Sequence, residues 1–265
     1  GSTGGSVSFL SGSGTSRTSG ALYVSSANAG TSGVSGAVTI TSGDSTNGDR
    51  GHIGIRSGSS TGGTGGEIRF SVGTGDSGVG GSVAIVGGGS TAASGGDIIM
   101  TSGGSSATSS GSIMINTQNS GTAGVSGSLQ FKTGTSSSGA SGKIELFTGN
   151  AVNGNSGDII FSGGQSSLGL GGQIKLEGGL ASAKTGGAIF ISSGTSSPTS
   201  SGSITIATSN AGTNGVSGSL NFLTGTSSSG SSGAIFVGSG AATGGSSGLV
   251  MISVGATTNA DTNAG

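Results

Sequence analysis

The sequence predicts an all-β fold: a single-chain parallel β-solenoid (β-helix) of about 17 rungs, each fifteen to sixteen residues long, with a six-rung, 91-residue super-repeat. Three observations lead there. A glycine recurs in fixed phase, at Gly5, Gly20, Gly36, Gly51, Gly66, Gly81, Gly96, Gly111, Gly127, Gly142, Gly157, Gly172, Gly187, Gly202, Gly218, Gly233 and Gly248. After each of these anchors, the second and fourth residues are Val, Ile, Leu, Phe or Met, from Val7 and Phe9 to Val250 and Ile252. Closely matching blocks also open at Ser19, Ser110 and Ser201, one super-repeat apart.

Each element of a rung has its own reason. Alternation of period two puts the second and fourth residues on one face of an extended segment, whereas a helix needs apolar residues three and four apart. One short strand per rung is therefore expected. Two inward side chains cannot bury themselves, but stacking the same turn ~4.8 Å above the last would join them into files of Ile, Val, Leu and Phe. Glycines seven after the anchor (Gly58, Gly73, Gly88, Gly134, Gly149) and twelve after it (Gly63, Gly78, Gly139, Gly154) mark expected corners, because glycine accepts positive φ. The return segments, such as Thr135-Ser136-Ser137-Ser138-Gly139, carry small residues and imply a thin cross-section.

Five shorter rungs and one that is longer by a single residue make the module. The longer rung of each carries Asn28-Ala29-Gly30-Thr31, Asn119-Ser120-Gly121-Thr122 or Asn210-Ala211-Gly212-Thr213. The expected organisation is one continuous array over 1–265: a partial module 1–18, modules 19–109 and 110–200, and a partial module 201–265. Register is lost near the C-terminus, where Thr257-Thr258-Asn259-Ala260-Asp261 matches no other rung. The array starts out of phase and without a visible cap, and the chain, opening at Gly1 without a Met or a basic-then-apolar leader, is expected to be a mature or excised segment.

Composition narrows the function classes. Glycine fills 64 of 265 positions, charged residues supply 6% and aromatics 3%, with no Trp, so a broad enzyme-like core is not expected. A net charge of −1 lacks the basic field that nucleic acid requires, and no stretch is long and apolar enough for a membrane span. Without Cys there are no disulfides and no thiolate metal sites, and no cofactor is expected.

The outward positions, one, three and five after each anchor, hold no catalytic set. The densest charged group is His52, Arg56, Glu67 and Arg69 on two adjacent rungs, and it reads as a solvated patch of weakly attracting charges. Lys143 and Asp158, one rung apart, read the same way. No carboxylate pair recurs in phase, and the single His has no Ser or Cys partner by spacing, so no catalytic, cofactor-binding or metal residue is assigned. Gly62-Gly63-Thr64-Gly65-Gly66-Glu67 lacks the nine-residue period and recurrent Asp of the Gly-rich calcium repeat. Ice binding would need stacked Thr-x-Thr ranks, yet Thr39-x-Thr41 stands almost alone.

The most informative outward column lies three after the anchor, where Tyr23, Ile99, Met114, Ile160, Phe190, Phe236 and Met251 point away from the expected core. Exposed apolar rows commonly mark contact. These seven residues form the candidate lateral assembly face; the alternative is that they cover the sheet of an isolated solenoid.

The Ser-Gly-x-Ile-x-Ile turn followed by Thr-Gly-Thr-Ser-Ser-Ser-Gly (133–139, again 224–230) resembles the Gly/Ser/Thr-rich repeat arrays of predicted microalgal surface or secreted proteins. It is also similar in style to filamentous adhesin stalks. The resemblance implies an extracellular or cell-surface structural protein, not an enzyme, that self-associates end to end and laterally into a filament. Its nearest alternative is a surface adhesin that binds polysaccharide, followed by an ice-binding protein and last a polysaccharide-cleaving enzyme. Partners would be further copies of the chain, a cell-surface polysaccharide, or an O-linked glycan on the Ser/Thr-rich loops.

Overall fold

The structure is a computed structural model that describes residues 4–256. It overturns the β-solenoid: among the described residues there is no strand, no sheet and no helix, and the chain is coil interrupted by short bends. The irregular stretch expected at 257–261 lies outside the described residues. No helix among them is long and apolar enough to cross a membrane.

The chain falls into two units, Gly1–Gln130 and Phe131–Gly265. The division lies inside the 110–200 module, between Leu129 and Phe131, the two inward members of one alternating pair. Both units are built from the same local device, a loop closed at its neck.

In the first unit, the anchor Gly20 donates its N–H to the carbonyl of Gly12 at 2.9 Å, Gly96 to Gly88 at 2.8 Å and Gly111 to Gly103 at 2.9 Å. In the second unit, Gly172 donates to Gly164 at 2.8 Å, Gly187 to Gly179 at 2.9 Å and Gly202 to Gly194 at 3.0 Å. Every acceptor is the glycine seven after the preceding anchor. These glycines are necks rather than corners, so half of the corner expectation is corrected. The other half stands in place: bends recur ten to twelve positions after the anchor, for example at 61–63, 76–78, 137–139 and 152–154.

Positive φ is not what the bends use as a rule. Among the described residues only Gly33 (138°) and Gly78 (94°) adopt it. At a few anchors, Gly66, Gly81, Gly172 and Gly187, glycine has a different reason, namely close approach across the neck. A Cβ on Gly81 would stand 2.6 Å from Val72 Cγ1, whereas one on Gly142 would make only ordinary contact, 3.5 Å from the Thr133 side chain. Where the facing residue is itself glycine the backbones come closer still, and a Cβ on Gly178 would press on the Gly187 carbonyl oxygen.

The solenoid fails because the chain closes at the wrong interval for it. A coaxial ladder needs each anchor to lie on the previous anchor, one full repeat back. Here the anchor instead meets the residue six after the previous anchor, nine or ten positions back, as in Gly20 with Ser11, Gly36 with Ser26 and Gly157 with Thr148. No backbone hydrogen bond among the described residues joins the alternating segment of one repeat to that of the next. Short closures cost less chain entropy than long ones, and a glycine-rich chain has the most such entropy to lose.

Without a ladder there is no core. None of the described residues is buried, and the accessible surface is 26242 Å². A compact 24.2 kDa monomer would expose roughly 10,000 Å². Four of the five described residues that are even partly shielded, Ser42, Gly87, Ser102 and Ser193, sit at the necks, six after an anchor.

The neck geometry carries a direct prediction. Gly178→Ala forces a methyl group against the Gly187 carbonyl, so the Gly187 N–H should lose its bond to Gly179. Since a net hydrogen bond contributes about 0.5–1.5 kcal/mol, amide exchange at Gly187 should quicken by about two- to tenfold. Gly179→Ala, where a Cβ meets nothing within 4 Å, should leave it unchanged.

Candidate assembly face

The alternating segments keep their two-sided character even as coil. Between Leu22 and Val250 the residues two after the anchor are 44–60% exposed, and those four after it are 50–77% exposed from Val24 to Val237 and 94% at Ile252, whereas the seven candidate face residues are 75–93% exposed. Tyr23, Ile99 and Met114 occupy the first unit, and Ile160, Phe190, Phe236 and Met251 the second, all with their side chains open to solvent. Period two survives because it is a property of the extended backbone itself. What is missing is anything for the inner face to pack on.

The charged residues agree on which positions share a face. Glu67 and Arg69 approach to 3.9 Å, Lys143 and Glu145 to 2.9 Å, and Lys175 and Glu177 to 2.7 Å. Each pair is two residues apart on the outward positions of one segment. The expected pairing of Lys143 with Asp158 on the next repeat is corrected: Lys143 Nζ donates to Glu145 Oε1 of its own segment. The physical reason is the missing ladder, since repeats that do not stack do not bring their outward charges together. His52 and Arg56, the other half of the charged patch, form no ion pair among the described residues. All of these groups are solvent-exposed, where a pair contributes ~0–1 kcal/mol.

One charged loop makes a shallow cleft. Arg50 Nη2 reaches Asp44 Oδ1 at 3.3 Å across the loop, and Ile40, Thr41, Ser42 and Ile53 complete the walls of a space of about 580 Å³. Thr41 of the isolated Thr-x-Thr pair lies on this wall. No group of three or more His, Asp or Glu among the described residues is placed to hold a metal ion.

The bends are held by a serine that pattern alone does not single out. Nine after the anchor, Ser90 Oγ accepts from Ala93 N at 2.9 Å, Ser105 Oγ from Thr108 N at 2.9 Å and Ser166 Oγ from Gly169 N at 2.8 Å. Ser196 repeats the pattern with Thr199 at 3.2 Å. A hydroxyl bonding two or three residues ahead is how Ser nucleates a turn. The recurrence of Ser at this position, in fixed phase with the anchors, is the available signal. In two of the three longer repeats the added residue makes room for a tighter turn, with Gly124 N bonded to Gly121 O and Gly215 N to Gly212 O. Ser120 Oγ donates to the Gly124 carbonyl at 2.9 Å and secures the first of these.

Comparison of the chain with protein-family models, with curated proteins and with solved structures finds no match.

Proposed function

We propose that this chain is a structural subunit or segment of an extracellular filament or stalk, and that it self-associates through the apolar residues of its alternating segments. The observation that carries the proposal is the uncovered apolar register. Large side chains recur in every repeat, alternate in phase, and find no cover within the chain. Burying each such side chain stabilises by about 1.5–3 kcal/mol, and association is the route left open to that gain.

Electrostatics favour the same outcome. The formal net charge is −1, and several of the charges are neutralised within their own segment, so copies of the chain repel one another little. The necks and serine-held bends space the segments without covering them. The resemblance to surface and stalk repeats supplies the extracellular setting. No catalytic role is part of the proposal, and polysaccharide contact would act on the polar loops.

Electron microscopy of the negatively stained chain at rising concentration tests this reading. Thin fibres above a threshold concentration are the expected result. A chain that remains monomeric at every soluble concentration, or that releases sugar from polysaccharide mixtures, would overturn it.

A further inference from the structure

The charges are distributed very unevenly along the chain. All but two of its Lys, Arg, Asp and Glu residues, the exceptions being Arg17 and Asp261, lie between Asp44 and Lys184. From 185 to 260 there is no charged residue and no His. This charge-free stretch also holds segments that are apolar on both faces, in Ala188-Ile189-Phe190-Ile191, Ala234-Ile235-Phe236-Val237 and Leu249-Val250-Met251-Ile252. Phe190 is 92% exposed and Phe236 93%.

We propose that residues 185–256 are the self-association site of this chain, and that the occupant is the same stretch of a second copy, added segment to segment by backbone pairing. The inference rests on the self-association reading above and gives it a location.

One observation, the absence of charge, selects this stretch, and two that hold along the whole chain fit this partner. The alternating segments there have no backbone hydrogen bond to any other segment among the described residues, so their N–H and C=O groups stand ready for an added strand. In-register pairing of identical segments stacks each residue on its own copy, which brings like charges together wherever charges exist. Over 44–184 it would set Lys143 on Lys143 and Glu177 on Glu177; over 185–256 it sets together only neutral side chains. A second copy is also the partner whose segments recur at the same intervals, set by Gly187, Gly202, Gly218, Gly233 and Gly248.

The area is sufficient. Outward Phe190, Phe236 and Met251 and inward Phe222 together expose roughly 600–700 Å², near the ~800 Å² per partner of a standard interface before the other inward residues are counted.

The test uses the full chain in two double variants, read by light scattering and negative-stain images. Phe190→Lys with Phe236→Lys should raise the assembly threshold at least about a hundredfold, since each lysine would face its own copy. Tyr23→Lys with Met114→Lys, in the same outward column outside the stretch, should raise it less than about tenfold. Both pairs are solvent-exposed in the single chain, so circular dichroism of dilute protein should not change. Mixing the lysine variant with Phe190→Glu and Phe236→Glu should restore fibres, which only direct apposition across copies accounts for. Equal effects of the two lysine pairs, a larger effect of the Tyr23 and Met114 pair, or no rescue on mixing would overturn this location while leaving the filament reading intact. A wild-type chain that never assembles would overturn the filament reading itself.

Discussion

Scanning calorimetry of the dilute, unassembled chain is expected to give no cooperative heat-absorption peak. A globular chain of 265 residues would absorb on the order of 190 kcal/mol near its midpoint, at about 0.7 kcal/mol per residue. That heat comes from disrupting packed side chains and a connected hydrogen-bond network. Here no described residue is buried, and the neck bonds each close a loop that can open without disturbing the next. Melting should therefore be gradual and local, one neck at a time, as in independent units rather than a single one. A sharp transition in dilute, monomeric protein would mean that the segments do stack, and the coil described above would have to be abandoned. The same measurement above the assembly threshold should recover a peak.

Replacing Phe190 alone by Ser is expected to raise the threshold concentration for assembly by about ten- to a hundredfold. Burial of a Phe side chain stabilises by about 1.5–3 kcal/mol, and 1.4 kcal/mol corresponds to a factor of ten in an association constant. At 92% exposure nearly all of that area is still available to a partner, so little is lost in the single chain and the whole effect should appear in association. Light scattering against concentration measures it directly. An unchanged threshold would remove Phe190 from the interface. Salt should matter little, because charges two residues apart on one segment already screen each other and the net charge is −1.

The anchors show how far local pattern can be read. That Gly20, Gly142 and Gly187 stand in fixed phase is plain from spacing, and so is the alternation that separates Ile189 and Ile191 from Phe190. Why Gly187 is glycine is not legible there, because the answer lies across the neck in the Gly179 backbone, which does not adjoin it in sequence. Ser105 and Ser166 are legible in principle, as hydroxyls a fixed three residues before the ends of bends, but in a Ser-rich loop they look like filler. The seven outward apolar residues follow from phase alone.

What the amino-acid order determined by itself is the repeat, its alternating segments and the later of the two bends expected in each repeat, all of which follow from interactions close along the chain. What only the tertiary structure decided is how one repeat meets the next. The same period is compatible with an anchor resting on the anchor before it or with a loop pinched shut at a glycine neck, and the choice depends on chain entropy weighed against a ladder of weak bonds. In this chain the pinched loop prevails, as Gly187 bonded to Gly179 illustrates, and the apolar files that would have lined a core face outward instead.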